Sequence, residues 1–166
     1  MVSKALTFGR AGAVRMCRAI FISEEYMKTV MSAADFRALR EVCGVTQQQV
    51  AEAMGVRVRA VKRWESGEVK LPQDAIGWMR RAACAHTEDV RVEVEESVRE
   101  VPDGAAVCLP YYRTQEQVDL AAEAQGVEPG PYQYINAVYR SVGERLIGLG
   151  YKVSFRYPDE ERPPVV

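Results

Sequence analysis

"TQQQVAEAMGVRVRAVKRWESG", residues 46–67, holds two helix-sized patterns divided by one glycine, and the reading of that division decides the fold. Thr46 followed three positions later by Gln49 is a capping box. The hydroxyl accepts from an orphan backbone N–H of the first turn, and the amide reaches back to the N-cap N–H. Val50, Ala51 and Met54 supply the apolar stripe of a short helix, and Gly55 can take the positive φ that a tight turn requires. Val56 is then expected to re-enter the core. On the helix that follows, at about 100° per residue, Val61 and Trp64 share one side with Glu65, while Arg59, Lys62, Arg63 and Ser66 occupy the other. Arg59 and Arg63 are four residues apart and therefore neighbours. Charged helix faces usually mix signs and are simply solvated; a face carrying only cations suits an anion.

The flanking segments continue the same pattern. In "MSAADFRALREVCG", residues 31–44, Ser32 caps an amphipathic helix that runs to Cys43 and stops at Gly44. Gly67 closes the basic helix, Pro72 follows the loop "EVKL", and "QDAIGWMRRAACA", residues 73–85, starts another amphipathic helix with Ile76, Met79 and Ala83 inward. These linked positions (Gln47 opening a helix, small Ala51 at a close crossing, Gly55 in the turn, apolar Val50, Met54, Val56, Val61 and Trp64, then "WESG") resemble the helix-turn-helix of phage-repressor type regulators, the Cro/CI or XRE family. The resemblance spans about residues 33–80. It implies a DNA-binding module whose second motif helix lies in the major groove. It also implies that Arg40 and Glu65 form a structural ion pair tying the first helix to the end of that recognition helix, and that Gln47, Ser66 and Lys70 grip phosphates. Arg57 departs from the family, which usually places a Ser or Thr N-cap there. That cap is then weaker, and the extra cation is expected beside the phosphates.

A major groove admits an α-helix, and a guanidinium can donate two hydrogen bonds to guanine O6 and N7. Arg59 and Arg63 are the expected base readers, Val58 near the helix start is suited to a thymine methyl, and Lys62 serves either bases or phosphates. Phosphate contacts fix register and base contacts specify sequence. Double-stranded DNA is therefore the expected partner.

Charge is distributed unevenly. Residues 1–30 carry five Lys/Arg against two Asp/Glu and residues 31–85 nine against six, each a net +3, while residues 86–166 carry eight against fifteen, a net −7. A basic front and an acidic back suit a nucleic-acid module joined to a module with another task. Residues 1–30 are expected to form a poorly ordered extension, from an upstream start codon or as a basic arm, with residues 1–26 dispensable to the fold. Residues 31–87 are expected to be the helix-turn-helix domain, 88–157 an α+β dimerisation domain and 158–166 a tail.

Within the back segment, Val90, Val92 and Val94 alternate as in a strand, yet Val90, Val94, Val98 and Val101 also lie at helical spacing, and the glutamates favour one long helix to about Val101, ended by "PDG". "AAVCLPYY" then predicts a strand, "TQEQVDLAAEAQG" a Thr-capped helix, "PGPYQYINAVYRSVGERLIGLG" a turn and a long helix, and "YKVSFRY" a final strand. The fold class expected is mainly α, with a helix-turn-helix bundle followed by a small α+β part. The order of parts, with "LPYYRTQEQVD" and "YINAVYRSVGERL", more loosely resembles the two-part repressors associated with anti-CRISPR operons, whose back half dimerises; a homodimer is what that resemblance implies.

Catalysis finds little support: the chain has one histidine, His86, no glycine-rich phosphate loop and no nucleophile elbow. Tyr111, Tyr112, Tyr132, Tyr134 and Tyr139 fit core or interface better than a pocket. Cys17, Cys43, Cys84 and Cys108 are scattered, as idle thiols in a reducing cytoplasm are, and only Cys84 and His86 lie close enough in sequence to share a metal, so neither metal nor cofactor is expected. No run of about 18 apolar residues is present to span a bilayer. The function expected is a sequence-specific regulator, a homodimeric repressor reading a pseudo-palindromic operator. The alternatives are an antitoxin, whose acidic half would suit a basic toxin, and a non-catalytic adaptor for protein or RNA, although RNA's narrow major groove would not take this helix in the same way.

Overall fold

The computed structural model describes residues 30–160. They divide into two compact units with a boundary between Glu88 and Asp89. The front unit is built from α1 (Ala33–Val42), α2 (Gln47–Met54), α3 (Val58–Glu65) and the first part of α4 (Gln73–Glu100). The back unit takes the rest of α4, then β1 (Ala106–Pro110), α5 (Gln115–Gln125), α6 (Tyr132–Gly148) and β2 (Lys152–Arg156). The molecule is mainly α, with a helix-turn-helix front followed by a small α+β part, as the sequence leads one to expect. The expected extension over residues 1–30 lies outside the described residues except for Val30, and the tail beyond Glu160 lies outside them as well.

Local chemistry starts each front helix. Ser32 Oγ accepts from Asp35 N at 3.0 Å while the Asp35 carboxylate accepts from Ser32 N at 3.0 Å, a complete capping box. Thr46 and Gln49 make the same reciprocal pair, at 3.1 and 2.7 Å. Gly55 ends α2 at φ +63°, a left-handed conformation in which a Cβ would be strained, and the chain turns there directly into α3. Arg57 occupies the N-cap of α3 without a side-chain cap bond, so that helix relies on packing to hold its first turn.

Packing in the front unit is dense, although Val56, expected in the core, is 38% exposed in the turn after Gly55. Phe36, Val50, Val61, Ala75 and Met79 are fully buried, joined by Met31, Cys43, Val45, Ala51, Trp64, Leu71 and Ile76, with Met54, Val58, Trp78 and Ala83 packed against them. Ala51 is small where α2 meets its neighbours, which lets the helices of the motif approach closely. Burial pushes the Cys43 thiol up to about 11, with Cys84 adding to it, so this sulfur is a core hydrophobe and no nucleophile at neutral pH.

The back unit pairs β1 and β2 in parallel, Ala106 opposite Lys152 through Pro110 opposite Arg156. Parallel neighbours need a long crossover, which α5 and α6 provide. Tyr111 N also donates to Arg156 O at 2.9 Å, so pairing outlasts the strand itself by one residue. Val107, Leu109, Tyr112, Val118, Tyr134, Ile135, Val138, Tyr139, Val142, Leu146 and Tyr151 form the core with Val90 of α4. Gly143 allows α6 to approach β2: a Cβ there would lie 2.8 Å from Phe155 Cζ unless that ring moved. Asn136 is 3% exposed and clamps the end of β1, its Oδ1 accepting from Tyr112 N at 2.9 Å and its Nδ2 donating to Tyr112 O at 2.7 Å.

The long helix is continuous to Glu100, as the glutamate content argues, but its buried face differs from the valine stripe. Val90 is buried and Val94 and Val101 pack on the core, whereas Val98 is 39% exposed. Steps of four drift by about 40° each, so the third valine in a row has rotated off the face. Glu93 and Ser97 are buried there instead. Burial holds the Tyr112 and Tyr139 phenols well above their ordinary range, and the nearby Glu93 carboxylate adds to the effect. Tyr132 packs against the same core, and Tyr111 is half-buried, stacked edge-on to Phe155 and Tyr157.

Candidate nucleic-acid interface

Helix α3 has one strongly apolar side and one strongly basic side. Val61 and Trp64 are buried, while Arg59, Lys62 and Arg63 are exposed along the opposite side. Arg57 at its start and Lys70 in the loop after it are exposed as well. Among the described residues, Arg57, Arg59, Lys62 and Lys70 make no ion pair, so their charge faces outward uncompensated by any carboxylate contact. Val58 is half-buried and packs against the front core, which leaves only part of its side chain to meet a base.

What fixes the helix is a polar bracket at its end. Glu65, with its side chain 5% exposed, sits in an ion pair with Arg40, 11% exposed. Arg40 Nε donates to Glu65 Oε1, its Nη2 to Oε2 at 3.3 Å, and its Nη1 to Val45 O at 2.8 Å. Gln47 Nε2 donates to Glu65 Oε2 at 2.8 Å. One carboxylate thus ties α1, the start of α2 and the end of α3 together. The Gln47 side chain, expected on a phosphate, gives one of its two amide N–H groups to this bracket, and the second is left beside the uncapped backbone N–H groups of the first turn of α2.

Ser66 and Arg63 are occupied in a way their spacing does not reveal. Ser66 Oγ lies 3.2 Å from Arg63 O and 3.1 Å from Glu68 Oε1, and Arg63 Nε lies 3.3 Å from Glu68 Oε2. Glu68 is thus a residue of this surface that helical periodicity passes over, because it stands beyond the helix end where that periodicity no longer applies. A carboxylate three residues past a helical Glu, across a glycine, is the only sequence signal it gives.

Among the described residues no group of three or more His, Cys, Asp or Glu side chains is placed to hold a metal ion, and no helix is long and apolar enough to cross a membrane. A comparison with curated proteins finds no match. A comparison with protein families matches residues 36–76 to the helix-turn-helix family, a span that runs from the buried Phe36 of α1 to Ile76 in the first turn of α4. It covers both motif helices, the glycine turn and the Arg40–Glu65 bracket. The front unit is a Cro/CI-type (XRE) helix-turn-helix domain, and the chain that carries it is a DNA-binding regulator.

Proposed function

We propose that the chain is a homodimeric repressor that reads a pseudo-palindromic operator through the major groove with α3. The observation that carries this reading is the outward face of α3, where Arg59, Lys62 and Arg63 stand exposed on a helix anchored by Val61 and Trp64. Arg59 and Arg63 read bases, Lys62 reads a base or grips a phosphate, and Val58 meets a thymine methyl with its uncovered part. Arg57, Lys70 and the Gln47 end of α2 grip the backbone; Ser66, whose single hydroxyl proton is shared by Arg63 O and Glu68 Oε1, has none left for a phosphate.

Reading and gripping have different signatures. Arg63→Ala is expected to cost about 1 to 3 kcal/mol on the true site and to flatten the preference at one base pair. Lys70→Ala is expected to weaken binding to every sequence alike and to lower the salt slope by about one unit, as one phosphate contact and its released counterion are lost. Titrating both variants against operator and scrambled duplex at several salt concentrations separates them. Specific binding untouched by both would reduce the basic face to a solvated surface and leave the adaptor reading in its place.

The dimer is assigned to residues 88–157. Support comes from Leu120, Ile147, Leu149 and Phe155, large apolar side chains between 45% and 60% exposed in the back unit. Half-sites are expected about one helical turn, roughly 34 Å, apart. A chain ending at Thr87 is expected to sediment as a monomer and to lose most site-specific affinity; a truncated chain that still dimerises would remove the assignment. The net −7 on residues 86–166 favours a second reading, an antitoxin whose back half binds a basic toxin. Repression by the chain with no second protein present distinguishes the first reading from the second.

A further inference from the structure

We propose that Glu68 is a positioning residue for sequence recognition: its carboxylate holds the Arg63 guanidinium by Nε so that the terminal Nη groups present their donors to a base. The inference rests on the reading of α3 as the recognition helix and adds a residue that lies outside that helix.

Three observations carry it. The carboxylate approaches from the helix side of the guanidinium, Glu68 Oε2 standing 3.3 Å from Nε of Arg63, the nitrogen nearest the helix, as an ion pair rather than an aligned hydrogen bond. A guanidinium has five N–H donors, and a carboxylate on the Nε side leaves clear the four on Nη1 and Nη2, the end that matches the two acceptors of guanine. The carboxylate is also held from its other oxygen, Oε1, by Ser66 Oγ at 3.1 Å. The backbone that carries it is fixed to the end of α3: Gly67 N donates to Trp64 O and Val69 N to Arg63 O, each at 3.2 Å, with Gly67 at φ +77° reversing the chain. Glu68 therefore returns to Arg63 on a closed turn.

Stability does not account for the arrangement. Both side chains are more than half exposed, at 52% and 62%, and surface pairs of this kind contribute little to folding. A carboxylate among phosphate-facing cations also opposes DNA electrostatically, so its benefit has to lie in geometry. An arginine with four rotatable side-chain bonds loses less freedom on binding when one end of its guanidinium is already placed.

The test uses the full chain and a duplex carrying the site that the wild-type chain selects from a random pool, with single-base variants of that site and a scrambled duplex. Glu68→Gln, Arg63→Ala and the double variant are titrated against each, and circular dichroism melts check that all remain folded. Glu68→Gln is expected to reduce discrimination at the base pair sensitive to Arg63 by about threefold or more while leaving scrambled binding equal or tighter. In the Arg63→Ala background the same change is expected to alter discrimination no further, and Glu68→Asp to restore only part of it. Equal tightening of all duplexes with discrimination intact would show that the carboxylate only repels phosphates and would overturn the proposal. A loss of discrimination that adds to that of Arg63→Ala would overturn it too. Should Arg63→Ala itself leave discrimination unchanged, the reading of α3 falls first, a result visible without any Glu68 variant.

Discussion

Trp64→Ala is expected to destabilise the front unit by about 3 to 5 kcal/mol, the range for removing a large aromatic from a core. Trp64 is 6% exposed and packs in the same cluster as Phe36, Val50, Val61 and Met79. Truncation leaves a cavity between helices that have few other ways to close. A single domain is stable by about 5 to 15 kcal/mol, so this one change consumes much of the reserve. Urea unfolding followed by Trp78 fluorescence measures it, Trp78 being the one tryptophan that remains. DNA affinity should fall only in proportion to the unfolded fraction, and below the transition the variant should keep the wild-type base preference. A changed preference in fully folded protein would mean that Trp64 shapes the reading surface itself.

Arg40→Ala is expected to cost a comparable 3 to 5 kcal/mol, by a different route. Its loss strands the Glu65 carboxylate, whose side chain is only 5% exposed, and takes a donor from Val45 O. A buried charge without its counter-ion is worse than no charge at all. Arg40→Met combined with Glu65→Leu should therefore cost far less than the two single changes added together, leaving Gln47 to turn toward water. Chemical denaturation of the four proteins in this cycle gives the coupling directly. Additive losses would mean that the two groups are solvated well enough to stand alone.

Much of the front unit was legible because its signals are local. Ser32 with Asp35, and Thr46 with Gln49, announce helix starts by chemistry confined to one turn, and Gly55 announces the turn by the conformation it alone tolerates. The amphipathic division of α3 follows from a fixed angular step, so Val61 and Trp64 inward and Arg59, Lys62 and Arg63 outward needed no tertiary information. In the back half, the elements from β1 to β2 were legible in order and type. Their parallel pairing was not, because register depends on contacts between segments 46 residues apart. Apolar periodicity finds Ile76, Met79 and Ala83 on the inner face of α4 but not its later turns, because the core around Glu93 and Ser97 is partly polar and a scan for valines passes over it.

The surface was harder to foresee where one side chain does two things. Gln47 stands where a phosphate grip is expected, yet one N–H of its amide is already given to Glu65. Glu68 belongs to no helix and is joined to Arg63 only because Gly67 turns the chain back. Such relations depend on the path of the backbone after a helix ends, and periodicity carries no information about that path.

The clamp formed by Asn136 has a consequence for what position 136 tolerates. Its amide meets both backbone groups of Tyr112, donor to acceptor and acceptor to donor, as a peptide unit from a third strand would. The side chain thus substitutes for main chain, and it occupies the polar groups through which β1 would otherwise continue to recruit a neighbour. Only one rotation of the amide satisfies both bonds. A carboxylate at the same place would turn an acceptor toward the Tyr112 carbonyl in a site closed to water, so conversion of one amide nitrogen to oxygen, the change that slow deamidation makes, is a chemical ageing event to which this end of the sheet is exposed. The helix slows it: the nitrogen of the following residue must swing toward the side chain for that reaction, and inside α6 the backbone of Ala137 is held in place.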